Sequence, residues 1–580
     1  MKKHFNTKTL VTMGLLVAME VILTRFLSLN AWNIRIGFGF VPIAVAGMIF
    51  GTLPAGIVAA VADVLGALLF PSGPFFPGFT LTAFLTGVSF GLFLHNKIGV
   101  LRTFIPVLIN QLILGLLVNS LWISVVYGSP YLPLLVTRSV QVAILIPIQF
   151  VVVFFLGKAL RRPIRDIYGM SPDAAIKYVD SYTWSTTRLG LDRSKELLSR
   201  LGDPQKGLKF VHVTGSNGKG STCAMIESVL RESGLKTGLY TSPYLEDFYE
   251  RIQIDKKNIS KDAFAEITEI VAAEAEKMSD HPSQFELLTA IAMVYFAREK
   301  VDIVVLEVGM GGELDSTNVI DAPEAAVITN IGLEHTEYLG STLSEIARTK
   351  AGIIKAGSEC ICYDSAPEVI EVIRSVCSER NVLLHCVNFG DVTDVTLEMT
   401  GSSFSYKGHP YRLILAGSHQ LHNAAVALET LAVLAAKGWD IPENAVKGGL
   451  ATVEWPGRFE RVGEEPLFIL DVGHNPQCAN ILANSISELL PDRRKIVFLI
   501  GVLADKDYDG IVTELAPFAK EFVCLTPLND RALPAGEFAE LLRERGFKAS
   551  SFEDIPSGIE AAKAAAGTDG TVIAFGSLYL

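Results

Sequence analysis

The sequence predicts an α-helical six-span membrane bundle followed by a soluble α/β part built as two units, and three observations lead there. Apolar stretches of about 18 to 25 residues follow one another with few charges up to residue 160, the length a helix needs to cross a bilayer. Charge divides at the same place: residues 1–165 hold twelve Lys or Arg against two acids, Glu20 and Asp63, for a net +10, and the remainder carries −22. Beyond Ser171, apolar strand-like runs alternate with helical segments, the rhythm of a parallel sheet with crossover helices. At 580 residues the chain is too long for one core.

Six spans fit at residues 9–28, 36–51, 53–70, 78–95, 103–127 and 131–157, with Gly- and Pro-rich corners between them. Lys2, Lys3 and Lys8 precede the first run as in a signal peptide. That run is long, lacks a small-residue cleavage pattern and is followed by further spans, so it reads as a retained helix. With the N-terminus inside, Lys2, Lys3, Lys8, Lys97, Arg102, Lys158, Arg161, Arg162 and Arg165 are all cytoplasmic, while Arg35 sits in an outer loop. The expectation is a multi-pass cell-membrane protein with its N-terminus and soluble part in the cytoplasm. A basic membrane part suits anionic lipid head groups, and the acidic remainder gives no reason to expect nucleic acid as a partner.

In the soluble part, strands are expected at Phe210–Val213, Ile303–Val308 and Ala326–Thr329, and in a second α/β unit after Pro456 at Leu467–Asp471, Lys495–Ile500, Phe522–Leu525 and Thr571–Phe575. This divides the chain into domains at 1–165, 166–455 and 456–580. All seven cysteines (Cys223, Cys360, Cys362, Cys377, Cys386, Cys478 and Cys524) lie in the soluble part at irregular spacing, which suits a reducing cytosol without disulfides. Cys360-Ile-Cys362 reads as a strand with both thiols on one face.

The strongest chemical signal is Thr214-Gly215-Ser216-Asn217-Gly218-Lys219-Gly220-Ser221, directly after a strand and directly before a helix. Such a P-loop cradles phosphate: the glycines turn backbone N–H groups inward, the helix N-terminus adds its dipole, and Lys219 adds a point charge. Its spacing departs from the common GxxxxGK[ST] form. A second apolar strand ends in Glu307, followed by Gly309, Gly311 and Gly312. An acid there is placed to hold Mg²⁺, which keeps few protein ligands and binds mainly phosphate and water. By themselves His335 and Lys350 read as a structural histidine and a solvated lysine.

From about Ala174 onward the sequence resembles the folylpolyglutamate synthase and dihydrofolate synthase branch of the Mur ligase family. VTGSNGKGS, TSPYLEDFYERI, FELLTAIAMVYF, LEVGMGGELDSTN, GLEHTEYLGSTLSEIARTKAGIIK, HNAAVA, WPGRFE, DVGHNP and GSLYL occur in that family's order. The resemblance implies a Mur-ligase-type ATPase domain, a smaller Rossmann-like C-terminal α/β domain, and an amide ligase that joins L-glutamate to a folate through an acyl phosphate made from ATP. It further implies that Ser242, Glu307 and His335 hold Mg²⁺, two ions in all, and that Lys350 is carbamylated to help hold the second. Lys219, His335 and Lys350 would be catalytic. Gly215, Asn217, Gly218, Lys219, Gly220, Ser221, Asn423, Arg458 and Asp471 would bind ATP, and His474 and Ser577 would receive glutamate. The chain departs from the family pattern at Tyr244, where His is usual, at Val472-Gly473 in place of Gly-Ala, and at Thr349 in place of Glu. These leave the ligand positions intact and bear on the pterin substrate and the acceptor.

Residues 8–160 resemble the S component of energy-coupling factor transporters, in its folate-specific group, through TRFLS at 24–28, RIGFGFVP at 35–42 and ADVLGALLFPSGPFFPGFTLTA at 62–83. The partners this implies are a transmembrane coupling subunit, docked on the Gly14/Ala18 seam, and separate ATPase subunits. An unpaired charge within a span costs about 2.5–3.5 kcal/mol, so Glu20, Arg25, Asp63 and Arg138 mark a cavity or ion pairs. Arg25, Arg35 and Arg138 are the candidates for a folate dianion; Arg25 and Arg138 paired with Glu20 and Asp63 is the structural alternative. Three alternatives to a folate ligase with an uptake module remain at this stage. They are a dihydrofolate synthase acting on dihydropteroate, a membrane-tethered cell-wall ligase, and a self-powered pump, against which the absence of an LSGGQ-like signature counts.

Overall fold

A computed structural model describes residues 7–31, 34–71, 73–95, 98–182, 189–490 and 496–579. Lys2, Lys3, Lys97 and Lys495 lie outside the described residues. The chain separates into two compact units, Met1–Met170 and Ser171–Leu580.

The first unit is helical. Among the described residues, four of its helices are long and apolar enough to cross a membrane: Thr52–Leu69, Pro77–Leu94, Val100–Tyr127 and Tyr131–Leu160. The helix Thr7–Arg25 precedes them. The span expected at 36–51 is only an eleven-residue helix, Phe40–Phe50. The physical reason is local: a short antiparallel hairpin, β1 (Leu29–Ala31) with β2 (Ile34–Ile36), takes up the preceding residues, and Gly51, at φ +78°, turns the chain before Thr52. Without water to drive apolar faces together, membrane helices associate through close backbone contact. Glycines supply it here, since a Cβ on Gly87 would lie 2.3 Å from Ala55 O and one on Gly91 2.5 Å from Thr52 Cα. Residues 109–118 are wound as a π-helix within the Val100–Tyr127 element, following Pro106.

The second unit is built on two sheets with parallel cores. The larger has eight strands: β3 (Phe210–Thr214), β4 (Thr237–Tyr240), β5 (Ile252–Ile254), β6 (Lys257–Asn258), β7 (Ile303–Glu307), β8 (Ala325–Ile328), β9 (Glu359–Cys362) and β10 (Leu383–Cys386). They lie in the order β10-β9-β8-β3-β7-β4-β5-β6, parallel from β10 to β4. A three-stranded antiparallel sheet follows, formed by β11 (Val392–Glu398), β12 (Gly401–Tyr406) and β13 (His409–Leu413). The last sheet has β14 (Glu460–Glu464), β15 (Leu467–Leu470), β16 (Ile496–Ile500), β17 (Ala519–Cys524), β18 (Ala549–Ser551) and β19 (Thr571–Phe575). Their order is β14-β15-β19-β16-β17-β18, parallel except for β14. The buried, mostly apolar strands β3, β7, β8, β16 and β19 sit at the positions expected from their apolar runs, because both sheet faces are covered by helices. Strands β11 and β13 have no apolar run to announce them, since their residues are mostly exposed and alternate weakly, and the short β12 is rich in serine.

The helix Lys219–Glu232 is buried from Gly220 through Leu230 and lies against the helix Glu443–Thr452. Gly449 permits this approach: a Cβ there would meet Val229 Cα at 2.6 Å, and Ser228 Oγ donates to Gly449 O at 2.9 Å. Overpacking such a contact costs about 1–3 kcal/mol. Gly449→Val is therefore expected to destabilise the soluble unit by that amount in denaturant unfolding, whereas Gly448→Ala, with only the flexible Glu232 side chain at 3.4 Å, does not.

Candidate active site

The phosphate loop joins β3 to the helix Lys219–Glu232. Gly215 (φ +151°) and Gly218 (φ +84°) occupy backbone conformations that side chains disfavour, and a Cβ on Gly218 would lie 2.5 Å from Asn423 Oδ1. Gly220 is likewise required, with Trp455 Cζ2 at 2.7 Å from a would-be Cβ. The first N–H groups of the helix have no intrahelical acceptor, so the loop presents donors and a positive dipole end to an anion. Lys219 folds over its own loop, donating to Gly215 O at 2.9 Å and Ser216 O at 3.0 Å. Ser221 accepts from Gln420 at 3.4 Å, and Gln420 in turn accepts from Asn423 at 3.1 Å, so these expected nucleotide residues share one network. Asn217 turns its side chain to the C-terminal helix Pro476–Leu489.

Glu307 closes β7 at 4 % exposure and accepts the Ser242 N–H at 3.1 Å. Burial pushes its carboxyl above the usual carboxylate range, opposed by the charge of Lys219. Lys350 is 1 % exposed and donates to Gly215 O and to Glu334 Oε1, both at 2.8 Å. Burial lowers its ammonium to about 8, against the pull of Glu334. Burial raises the Glu334 carboxyl, but Lys219 and Lys350 outweigh that effect and hold it at about 2. His335 is exposed at φ +46° on the same loop. The four expected metal ligands thus divide into a Ser242–Glu307 pair, an exposed His335 and a Lys350 that is ion-paired to Glu334. Among the described residues no group of three or more His, Cys, Asp or Glu forms a ready-made cage. A buried carboxylate with a single backbone donor, facing a phosphate loop, still fits Mg²⁺, which relies on phosphate and water for most of its shell.

The C-terminal sheet contributes from the carboxyl ends of β15 and β19. Asp471 accepts from Gly473 N at 2.8 Å and Phe459 N at 3.1 Å; burial raises its carboxyl, with Arg458 opposing. His474 donates Nδ1–H to Val472 O at 3.3 Å, and burial, reinforced by Lys506, lowers its ring to about 4. Ser577 accepts from Tyr579 N at 3.1 Å, and Gly576 N donates to Gly473 O at 3.0 Å, tying the two loops together. A cleft of about 260 Å³ is lined by Ser242, Glu307, Trp455, Arg458, Val472 and Leu578. Sequence reading passed over Glu334, Gln420, Trp455 and Gln477. Glu334 carried a signal, since a lysine on a buried helix face demands a carboxylate partner.

In the membrane unit a cavity of about 310 Å³ is lined by Arg25, Asp63, Phe76, Phe79, Asn119 and Tyr127. Thr80 donates to Asp63 at 2.7 Å, and Arg25 lies across Gly66, whose Cβ would be 3.1 Å from Arg25 Nε. Arg138 is not among the lining residues and donates to Gly115 O of the π-helical stretch at 3.2 Å. Arg35 lies on β2.

Removing one partner of a buried ion pair strands the other charge, at a cost of about 3–5 kcal/mol. Glu334→Gln is expected to lose that much stability at pH 7 in denaturant unfolding, and Glu334→Gln/Lys350→Met to recover most of it. Equal losses in the two variants would show that Lys350 is not stranded.

Comparison with known proteins gives the family. Residues 213–431 match the Mur ligase middle domain, residues 457–578 the glutamate ligase domain of Mur ligases, and residues 4–162 the S component of the ECF-type riboflavin transporter. The folylpolyglutamate synthase of Lacticaseibacillus casei is 34% identical over 431 residues, 71% of this chain and 97% of that protein. The dihydrofolate synthase/folylpolyglutamate synthase of Escherichia coli is 34% identical over 408 residues, 70% of this chain and 92% of that protein. The Mycobacterium tuberculosis folylpolyglutamate synthase complexed with ADP and AMPPCP superposes with a TM-score of 0.65 at 32% identity, covering 70% of this chain and 97% of that one. Escherichia coli FolC in complex with DHPP and ADP gives 0.63 at 32%, covering 70% and 95%. The chain belongs to the folylpolyglutamate synthase family of Mur ligases: it is an ATP-dependent ligase carried behind a transporter S-component domain.

Proposed function

We propose that the soluble part adds L-glutamate to a reduced folate in the cytoplasm and that the membrane part captures the folate outside, so that one chain imports the vitamin and traps it. The observation that carries this reading is the cleft, which opens at once on the phosphate loop at Gly220, on the buried carboxylate of Glu307 and on the C-terminal wall at Arg458 and Val472. A folate carboxylate oxygen would attack the γ-phosphorus of ATP, forming an acyl phosphate and releasing ADP. The amine of glutamate would then attack the acyl carbon and expel phosphate. Both steps gather negative charge, which Lys219 and the loop N–H groups would offset, so the work is positioning and electrostatics without a protein nucleophile. Mg²⁺ held by Ser242 and Glu307 would neutralise phosphate charge, with His335 and a carbamylated Lys350 serving a second ion. The shift of Lys350 toward its neutral amine favours reaction with carbon dioxide. Asn423, Arg458 and Asp471 would hold the nucleotide, and His474 and Ser577 the incoming glutamate.

The domains in this reading are 1–165, 166–455 and 456–580, with six spans, a Rossmann-like C-terminal domain, and both the N-terminus and the ligase in the cytoplasm. The matched S-component model is a riboflavin one; folate is proposed because the ligase relatives are named for it and added glutamates make the product too polar to leave across hydrocarbon. Arg25 is the leading ligand contact, with Arg35 second, while Arg138 serves the π-helical carbonyl. Open space around Gly14 leaves room for a coupling subunit, with separate ATPase subunits supplying transport energy. Dihydropteroate as acceptor is the second reading, favoured by relatives that carry dihydrofolate synthase in their names.

The purified full chain in nanodiscs is expected to convert ATP to ADP only with a folate and glutamate together, giving a product one glutamyl residue heavier by mass spectrometry. Tetrahydrofolate should outpace dihydropteroate, and glutamate ligation to neither would defeat the assignment. Arg25→Ala should weaken folate retention by the membrane part by about 2 kcal/mol, roughly thirtyfold, as expected for a buried charged contact. Unchanged retention would place the vitamin elsewhere.

A further inference from the structure

Asn217 stands in the middle of the phosphate loop, yet its side chain is occupied by the C-terminal domain. Its Nδ2 donates to Gln477 Oε1 at 2.6 Å, and its Oδ1 accepts from Cys478 Sγ at 3.2 Å and Asn475 Nδ2 at 3.4 Å. Both lone pairs of Oδ1 and one Nδ2 hydrogen are thereby used. Gln477 continues the chain, donating Nε2 to Asn330 Oδ1 at 2.8 Å. Asn330 closes it, because its carbonyl accepts from Ser216 N at 2.7 Å and its backbone bridges that of Asn217. The donors and acceptors run head to tail, so each amide orients the next. Close approach is built in: a Cβ on Gly332 would lie 2.4 Å from Gln477 Oε1.

The three groups on the C-terminal side belong to the cap and first turn of one helix, Pro476–Leu489, where Asn475 also accepts from Cys478 N at 2.8 Å. That turn directly follows the Asp471–His474 loop. On the other side, Asn330 begins the loop that reaches Glu334 and His335. Whatever holds Gln477 against Asn217 and Asn330 therefore sets the spacing between the phosphate end of the nucleotide site and the C-terminal wall.

We propose that Asn217 is, through its side chain, the docking point of the C-terminal domain, and that Gln477 is a positioning residue whose clasp on Asn217 and Asn330 brings that domain into register with the phosphate loop. Truncating the Asn217 side chain leaves the backbone N–H groups of the loop in place. Amide transfer needs parts from both domains, so a shift of about 1 Å between them costs up to a hundredfold in rate while leaving the phosphate loop's own contacts to the nucleotide in place.

The test uses the full chain in nanodiscs with Asn217→Ala, Gln477→Ala, the double variant, and Gln477→Glu, which can still accept from Asn217 but cannot donate to Asn330. Each single alanine variant is expected to lower kcat for ligation by about tenfold to a hundredfold while ADP affinity stays within about threefold. The double variant should be no slower than the slower single one, because both remove the same contact. Gln477→Glu should fall between wild type and Gln477→Ala. Amide hydrogen exchange should rise together at residues 330–335 and 475–478 in the alanine variants, a readout that survives loss of activity. The proposal is overturned if Asn217→Ala weakens ADP more than about tenfold while Gln477→Ala ligates normally, if the two effects multiply, or if exchange at both segments is unchanged. ADP binding and exchange need no acceptor, so failure of the folate assignment would leave these arms intact.

Discussion

The carbonyl oxygen of Gly215 accepts from two ammonium groups, Lys219 at 2.9 Å and Lys350 at 2.8 Å, and the organisation of the ligase site follows from that shared acceptor. Two cations on one carbonyl repel each other unless negative charge is near. Glu334 supplies it for Lys350, which is almost fully buried and would otherwise be costly to keep charged. Lys219 is half-buried and, in this structure, is met by loop carbonyls. A phosphate is the natural counter-ion for it. The two lysines thus have different partners although they touch the same atom: Lys350 is held by Glu334, and Lys219 by a second loop carbonyl, that of Ser216.

The residues around that pivot come from the carboxyl ends of parallel strands in two different sheets. β3 leads into the phosphate loop, β7 ends in Glu307 and β8 leads to Asn330 and Glu334; β15 leads to Asp471 and His474, and β19 to Ser577. Ligands in open α/β sheets gather at these ends because loops there are free to vary while the strands beneath stay rigid. Burial then adjusts the chemistry. Glu307 and Asp471 are both pushed above the ordinary carboxylate range, and the cations that offset the burial, Lys219 and Arg458, are residues proposed to meet the nucleotide. A site that confines acids in this way favours binding of positive charge and polyanion together.

The membrane unit follows a different rule. Its helices approach through Gly47, Gly87 and Gly91, so the backbones touch and little room remains between them. The space that does remain is walled by Phe76, Phe79 and Tyr127 and carries Arg25 and Asp63. A cation and a carboxylate are tolerated within hydrocarbon where a cavity and hydrogen bonds receive them, as Thr80 does for Asp63.

Much of this was legible in the order of residues. Unbroken apolar runs such as Ile303–Leu306 announced the buried parallel strands, and the glycines around Lys219 announced the phosphate loop, because both depend on neighbours within a few positions. Local patterns failed where local geometry was irregular: the expected span at 36–51 shortened to Phe40–Phe50 once the β1–β2 hairpin and Gly51 had claimed its ends. They also failed where partners lie far apart in the chain. The pairing of Lys350 with Glu334, the seating of Trp455 against Gly220 and the clasp of Gln477 on Asn217 join residues separated by 16 to 260 positions. Sequence by itself determined which segments are apolar, which turns require glycine and which side chains could carry charge, since those are properties of residues and their immediate neighbours. Only the tertiary structure decided which charges meet and which amides are already occupied, since both depend on how separate strands bring their ends together and exclude water between them.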